Sequence, residues 1–210
     1  MPMRPWPALS RNLVAILRGI TPEEVEPIVA ALIDARFEAI EIPLNSPDPF
    51  ASIGRAARMA PDGVLIGAGT VLTAEDTRHL ADVGGRLLVS PNVDPQVLDQ
   101  AAALDLVTMP GVLTPSEAFT ALRHGASALK FFPASVIGAK GIAAIRAVLP
   151  KETVIGAVGG VDETSFADYR AAGVTAFGMG SSLYKPGFTV AQVTERAIRT
   201  VAAYDAEFGA

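Results

Sequence analysis

Residues 13–17 read Leu-Val-Ala-Ile-Leu, and residues 21–24, shortly after them, read Thr-Pro-Glu-Glu. A short run of apolar and β-branched residues is typical of a buried strand. The second segment is typical of a helix start, because its polar side chains can cap free backbone N–H groups and its acids favour the positive end of the helix dipole. Together the two segments predict one βα unit.

The same unit recurs along the chain at intervals of roughly 20 to 27 residues, the spacing of βα repeats. Eight strands are predicted, namely Leu13–Leu17, Ala39–Pro43, Val64–Gly69, Leu87–Ser90, Leu106–Met109, Ala128–Phe132, Val154–Val158 and Ala176–Met179. Further helix-start signals are Thr73-Ala74-Glu75-Asp76, Thr114-Pro115-Ser116-Glu117 and Asp162-Glu163-Thr164-Ser165. Strands that alternate strictly with helices predict a parallel sheet whose faces are covered by helices.

Eight uninterrupted repeats favour closure of this α/β sheet into a (β/α)8 TIM barrel. An open, doubly wound sheet fits the same order of elements and is the alternative. No linker or low-complexity stretch interrupts the repeats, so we expect residues 1–210 to form a single domain.

The composition argues against several classes of protein. The formal net charge is −5 and the basic residues form no stripe, which argues against a nucleic-acid partner. The chain has no cysteine, which excludes disulfides, thiolate zinc sites and cysteine nucleophiles. Neither of its two histidines, His79 and His124, belongs to a ligand-spaced cluster. We therefore expect neither a metal nor another cofactor.

The beginning of the chain indicates where the protein works. Residues Met1–Asn12 include three prolines and lack the apolar stretch that a signal peptide needs. No apolar run in the sequence is long enough to span a bilayer. The sequence thus predicts a cytoplasmic protein without a membrane partner.

Polar residues at the C-terminal ends of the strands are the candidates for function, because the active site of a TIM barrel lies there. The first strand is followed by Arg18 and the third by Thr70. The second strand contains Glu41 and the sixth contains Lys130.

Lys130 interrupts an otherwise apolar run, Ala-Leu-Lys-Phe-Phe-Pro at residues 128–133. Alternation along a strand places it on the face shared by Ala128 and Phe132, which predicts that it points into the barrel mouth. Burial there disfavours the ammonium form, and the neutral amine is the species that forms a Schiff base with a 2-keto acid. A lysine whose stem packs on apolar neighbours, or one held in a structural ion pair, is the alternative.

Glu41 lies between two isoleucines, which predicts a carboxylate that also faces inward. There it could transfer protons during the chemistry of Lys130, or form only an ion pair. Arg18 could bind a carboxylate through its fork of donors. The Thr70 hydroxyl could bind the same group or satisfy local backbone.

The last two strands end in glycine-rich segments, Gly159-Gly160 and Gly178-Met179-Gly180-Ser181-Ser182. Glycines let the backbone approach a ligand closely, and phosphate sites after the last two strands recur in TIM barrels. The two segments predict a phosphate-binding site, and tight turns that need glycine for their geometry are the alternative.

Five runs of the sequence together resemble one enzyme family. They are Ala15-Ile16-Leu17-Arg18-Gly19-Ile20, Glu41-Ile42-Pro43-Leu44-Asn45-Ser46-Pro47, Gly67-Ala68-Gly69-Thr70-Val71-Leu72, Ala128-Leu129-Lys130-Phe131-Phe132-Pro133 and Ala157-Val158-Gly159-Gly160-Val161. In this order they are similar to the 2-keto-3-deoxy-6-phosphogluconate/galactonate aldolase family. The resemblance extends from the first predicted strand to the end of the last.

Membership would imply a class I aldolase, usually a homotrimer, that splits a phosphorylated 2-keto-3-deoxy sugar acid into pyruvate and glyceraldehyde 3-phosphate. By position, Lys130 resembles the family's Schiff-base lysine and Glu41 its proton-transferring glutamate. Arg18 and Thr70 resemble groups around the pyruvate carboxylate, and Pro91 resembles a wall residue of the pocket. The positions that resemble the phosphate-binding residues are Gly160, Gly180 and Ser181.

Two positions favour the phosphogalactonate branch of the family, and with it a role in galactonate catabolism. Asn45 and Val158 stand where the phosphogluconate branch generally has arginine and threonine. The two substrates differ only in configuration at C4, which a side chain beside that carbon could discriminate. The alternatives are a phosphogluconate or 4-hydroxy-2-oxoglutarate aldolase, and a phosphate-binding isomerase or synthase in which Lys130 only balances a substrate charge.

Overall fold

A sheet of nine parallel strands forms the centre of the computed structural model, which describes residues 4–209. The strands are β1 (Leu13–Ile16), β2 (Ala39–Pro43), β3 (Leu65–Gly69), β4 (Leu87–Val89), β5 (Val107–Met109), β6 (Gly111–Val112), β7 (Leu129–Phe131), β8 (Ile155–Val158) and β9 (Ala176–Met179). Residues 1–3 and 210, which the predicted domain includes, lie outside the described residues, and so does the start of the predicted N-terminal segment Met1–Asn12.

Helices alternate with the strands. Within residues 4–209 they are α1 (Val25–Asp34), α2 (Pro49–Met59), α3 (Ala74–Asp82), α4 (Pro95–Ala103), α5 (Pro115–Arg123), α6 (Ala134–Arg146), α7 (Phe166–Ala171) and α8 (Val190–Phe208), and a short 3₁₀ helix, Glu163–Ser165, precedes α7. No helix in this range combines the length and the apolar composition that crossing a membrane requires.

All eight predicted strands are present, but the fifth is longer than predicted and is divided at Pro110 into β5 and β6. Strand β5 pairs with β4, whereas β6 pairs with β7. The strand order β5-β4-β3-β2-β1-β9-β8-β7-β6 therefore begins and ends on one continuous stretch of chain.

Backbone hydrogen bonds across this stretch close the sheet. The N–H of Ala128 donates to the carbonyl of Thr108 at 3.0 Å, and the N–H of Lys130 donates to the carbonyl of Pro110 at 2.9 Å. An open sheet would leave the groups of its two outer strands unpaired. The predicted TIM barrel is thus confirmed, and the open doubly wound sheet is excluded.

Three of the predicted helix starts are confirmed. The Thr73 hydroxyl accepts a hydrogen bond from the N–H of Asp76 at 3.0 Å. Thr114 and Glu117 form a reciprocal capping box at the start of α5, and Asp162 caps the 3₁₀ helix. Each side chain satisfies backbone donors that a helix leaves unpaired at its N-terminus.

The first predicted helix start is wrong by one turn. Helix α1 begins at Val25, and Thr21 does not cap it. Both the N–H and the hydroxyl of Thr21 donate to the Glu24 carboxylate, and the N–H of Glu24 donates back to the Thr21 carbonyl. Residues 21–24 therefore close on themselves as a turn before the helix.

Alternation along the strands divides the apolar residues between two cores. The core inside the barrel consists of Val14, Ala39, Leu87, Val89, Val107, Met109, Ala128 and Ala176. The larger core lies between strands and helices and includes Leu129 and Phe131. Because Ala128 belongs to the inner core and its neighbour Leu129 to the outer one, Lys130 lies on the inner face of β7, as predicted.

The inner core fills the end of the barrel at the N-termini of the strands, so the C-terminal end is left for the site. Trp6 and Leu9, which precede β1, pack against this core, and the Trp6 indole N–H donates to the Asn12 side-chain oxygen at 2.9 Å. The inward-facing residues nearer the C-terminal ends of the strands, Glu41 and Lys130, are left to line a cavity.

Candidate active site

A cavity of about 310 Å³ opens at the C-terminal ends of the strands. Its lining consists of Ile16, Arg18, Glu41, Thr70, Lys130, Phe132, Val158, Gly159, Gly160, Val161, Gly178, Gly180, Ser181, Tyr184, Lys185 and Pro186. Every predicted site residue except Pro91 is among them. The Pro91 carbonyl lies against Gly111 on β6, and the role expected of Pro91 stays a prediction.

Lys130 extends from β7 into the cavity and is only 6% exposed. Its Nζ lies 4.6 Å from the centroid of the Phe132 ring. Burial lowers the pKa of Lys130 to about 8, while the Glu41 carboxylate raises this pKa and the Arg18 guanidinium lowers it. A fraction of the amine is therefore neutral near neutral pH, which nucleophilic attack requires.

The alternative of a structural ion pair at Lys130 finds no support in the geometry. Within residues 4–209, every salt bridge joins other side chains. Glu41 is close enough to act on the pKa of Lys130, but the two groups do not form a salt bridge.

Glu41 extends from β2 and is 2% exposed. Among the described residues its Oε2 finds no hydrogen-bond partner, and the backbone of Gly69 on β3 lies directly against the carboxylate. Burial raises the pKa of Glu41 to about 7, although Lys130 and Arg18 both lower it. A carboxyl group with a pKa near neutrality can both take up and release protons.

Arg18 lies at the rim of the cavity, directly after the end of the first predicted strand. Its Nη1 donates to the Asn45 side-chain oxygen. One residue further along each loop, the N–H of Gly19 donates to the Ser46 hydroxyl at 2.9 Å. The loops after β1 and β2 are thus joined twice, which holds the guanidinium at the entrance.

Thr70 has an unusual backbone conformation. Its φ is +58°, in the left-handed region that a β-branched residue seldom adopts, at a cost of roughly 1–2 kcal/mol. Such strain concentrates at functional sites. Within residues 4–209 no hydrogen bond involves the Thr70 hydroxyl, so the alternative of a purely local backbone partner finds no support.

The glycine-rich segments after β8 and β9 also line the cavity. Gly160 has a φ of +73°, and a Cβ there would lie 2.6 Å from the Cβ of Ser135, so only glycine fits. In the described part of the chain, the N–H groups of Gly160, Gly180 and Ser181 donate no hydrogen bond. Backbone N–H groups without an acceptor at a cavity can bind an anion.

Tyr184, Lys185 and Pro186 also line the cavity, and the sequence analysis missed them. Burial raises the pKa of Tyr184 to about 12, and its hydroxyl has no hydrogen-bond partner among residues 4–209. Their position in the sequence could have indicated this, because they directly follow the glycine-serine segment after the last strand.

The arrangement combines one buried amine, one buried carboxyl group, a guanidinium and a set of backbone N–H donors. No group of three or more His, Asp or Glu side chains in residues 4–209 is placed to hold a metal ion. The arrangement suits anion binding, proton transfer and amine chemistry.

A family model described as KDPG and KHG aldolase matches residues 9–199. With the barrel and its buried lysine, this match defines the protein as an aldolase, a carbon–carbon lyase. The chain belongs to the KDPG and KHG aldolase family.

Two curated relatives match this chain over more than nine-tenths of its length. A probable 2-dehydro-3-deoxy-6-phosphogalactonate aldolase of Rhizobium meliloti (strain 1021) is 63% identical over 98% of this chain and 97% of its own length. The 2-dehydro-3-deoxy-6-phosphogalactonate aldolase of Escherichia coli (strain K12) is 46% identical over 91% of this chain and 94% of its own length.

Two solved structures are similar as well. A native KDPGal structure superposes with a TM-score of 0.95 at 43% identity, covering 98% of this chain and 100% of that one. A chain of a protein cage designed by fusing symmetric oligomeric domains gives a TM-score of 0.92 at 44% identity, covering 94% of this chain and 73% of that one.

Proposed function

We propose that the protein is a class I aldolase that cleaves 2-dehydro-3-deoxy-6-phospho-D-galactonate to pyruvate and D-glyceraldehyde 3-phosphate through a Schiff base on Lys130. The observation that carries this proposal is the buried Lys130 amine at the base of the cavity, with a pKa lowered to about 8 and the Glu41 carboxyl group acting on it. The family and the names of the relatives support the same chemistry.

Lys130 is the nucleophile of the proposed reaction. Its neutral amine attacks the C2 carbonyl carbon to give a carbinolamine, which loses water to become an iminium ion. The iminium draws electrons from the C3–C4 bond as the C4 hydroxyl loses its proton. Glyceraldehyde 3-phosphate leaves, and an enamine of pyruvate stays on Lys130 until C3 is protonated and water releases the product.

Glu41 moves the protons of these steps. Dehydration of the carbinolamine needs an acid, removal of the C4 hydroxyl proton needs a base, and protonation of C3 again needs an acid. A carboxyl group whose pKa is raised to about 7 suits both roles near neutral pH. Its unpartnered Oε2 is consistent with a proton carrier that bonds to substrate or water.

The two anionic ends of the substrate bind at the two ends of the cavity. Arg18 and Thr70 bind the carboxylate of the pyruvate unit, and the support is their position beside Lys130 and Glu41. The phosphate binds to the free N–H groups of Gly160, Gly180 and Ser181.

Two positions support the galactonate configuration of the substrate, and with it a role of the enzyme in galactonate catabolism. Val158 lines the cavity, and Asn45 accepts a hydrogen bond from Arg18. The names of the two curated relatives point to the same epimer. Pro91 completes the pocket wall in this proposal.

We further propose that residues 1–210 act as one domain of a cytoplasmic homotrimer without metal, cofactor, nucleic-acid or membrane partners. Three exposed apolar side chains, Leu72, Leu113 and Val136, follow different strands at the end of the barrel where the cavity opens. Contiguous exposed apolar surface is typical of contacts between subunits. The similar chain from a cage of symmetric oligomeric domains adds support.

Reduction with borohydride in the presence of pyruvate tests the mechanism. We expect a stable adduct on Lys130, found by mass spectrometry after digestion, and none in Lys130→Met. Cleavage by a wild-type protein that forms no adduct would exclude the Schiff base, whereas absence of both cleavage and adduct would favour the isomerase or synthase alternative. Cleavage rates on the galactonate and gluconate epimers and on 4-hydroxy-2-oxoglutarate, measured side by side, decide the substrate.

A further inference from the structure

Lys185 is a third cation of the cavity, besides Arg18 and Lys130. It lies four residues after Ser181, on the segment that leads from β9 to α8. In residues 4–209 its side chain takes part in no salt bridge. An unpaired ammonium at a substrate cavity is available to an anionic ligand.

The segment that carries Lys185 has a defined position. The N–H of Phe188 donates to the Lys185 carbonyl at 3.0 Å, which closes a turn around Gly187. On the other side, the ring of Pro186 packs against Gly19, where a Cβ would lie 2.7 Å from the proline Cγ. The backbone of Lys185 is thus held between the glycine-serine segment and the loop that carries Arg18.

The other charged groups of the cavity provide no cation for the substrate phosphate. In the proposed reaction Arg18 binds the carboxylate, and Lys130 acts as a neutral amine. The donors at the phosphate end, the N–H groups of residues 160, 180 and 181, carry no formal charge, whereas a phosphate monoester carries close to two negative charges. Without Lys185, no cation of the lining would face the phosphate.

We infer that Lys185 neutralises the phosphate of the substrate and thereby selects phosphorylated over unphosphorylated sugar acids, an inference that rests on the proposed function. The ammonium acts as a point charge beside the directional N–H donors. Because Lys185 is exposed, its effect is expected at the low end of charge-assisted hydrogen bonds.

The test compares the substrate with its analogue that lacks the 6-phosphate. In Lys185→Met, the ratio of kcat/KM for the phosphorylated over the unphosphorylated compound should fall about tenfold, mainly through KM for the phosphorylated one. Lys185→Arg should restore most of the ratio. Lys151→Met is the matched control, because Lys151 is an exposed lysine in the turn before β8, at the opposite end of the barrel.

Binding of inorganic phosphate, measured by calorimetry, separates this inference from the proposed function. We expect Lys185→Met to bind phosphate about tenfold more weakly than the wild type does. Equal phosphate binding, or an equal loss of kcat/KM on both compounds, would overturn the role of Lys185. The proposed function fails on a different result, namely the absence of the pyruvate adduct in the wild type.

Discussion

The backbone of Gly69 on β3 lies directly against the carboxylate of Glu41 on the neighbouring strand β2. A side chain at position 69 would occupy the space of the carboxylate oxygens. The missing side chain at position 69 therefore leaves the space that the Glu41 carboxylate occupies.

Gly69→Ala should accordingly impair catalysis more than folding. The added methyl group displaces the Glu41 carboxylate, and a displacement of about 1 Å lowers kcat about 100-fold. Steady-state kinetics and a thermal unfolding curve are the measurements. Gly54→Ala is the control, since Gly54 lies within helix α2 and a Cβ there meets its neighbours at ordinary distances of 3.4 Å or more. Wild-type kcat in Gly69→Ala would mean that the position of Glu41 does not limit the reaction.

The pH dependence of Schiff-base formation should shift in opposite directions in two variants. Burial brings the pKa of Lys130 to about 8, so the rate of trapping with pyruvate and cyanoborohydride should rise with pH up to about that value. Glu41→Gln removes a group that raises this pKa, and the midpoint should move to lower pH. Arg18→Met removes a group that lowers it, and the midpoint should move to higher pH at saturating pyruvate. If the midpoints of both variants moved in the same direction, the opposite effects of Glu41 and Arg18 on the pKa of Lys130 would be contradicted.

Glu41→Gln should also stabilise the protein as pH rises. The folded pKa of Glu41, about 7, is above the ordinary carboxyl pKa of 4.5, so its contribution to stability is present below pH 4.5 and is lost as pH rises to about 7. Glutamine suffers no such loss, and the gain over the wild type should reach about 3 kcal/mol. Glu41→Gln also lowers the pKa of Lys130, and this change too increases the stability of the variant relative to the wild type as pH rises.

Urea unfolding at pH 5 and pH 7.5 measures this difference. Glu152→Gln is the matched control, because Glu152 is exposed in the turn before β8. A difference between Glu41→Gln and the wild type that stays constant with pH would show that Glu41 is not titrating in the folded protein.

The choice between the C4 epimers should respond to Asn45 and Val158. Asn45→Arg takes away the acceptor of the Arg18 hydrogen bond, and Val158→Thr adds a hydroxyl to the cavity lining. We expect the double variant to shift the ratio of kcat/KM for the galactonate over the gluconate epimer about tenfold towards gluconate. Borohydride trapping with pyruvate, which lacks C4, is the control. An unchanged ratio would remove both residues from epimer selection.

Strand periodicity made the central part of the site predictable. Residues two apart on a strand share a face, so the apolar neighbours of Lys130 and Glu41 were sufficient to predict that both side chains point into the barrel. The residues beyond the strands, Tyr184 and Lys185, follow no period, because the path of a loop depends on what it packs against. For Lys185 that contact is the one between Pro186 and Gly19.

The division of the fifth strand could not be predicted either. Proline lacks an N–H and marks a break, but the change of partner from β4 to β7 across Pro110 depends on closure of the whole sheet. Similarly, the hydrogen bond between Arg18 and Asn45 joins loops that come together only when β1 pairs with β2.

Pro110 has a further consequence for Lys130. Its carbonyl accepts the N–H of Lys130, and on the other side Lys130 pairs in register with Gly156. The backbone that carries the amine is thus anchored on both sides, whereas Arg18, Gly160 and Ser181, to which we assign binding of the rest of the substrate, lie on separate loops. New substrates could arise in evolution or by engineering through exchange of residues in those loops, while the strands that carry the amine and the carboxyl group stay as they are.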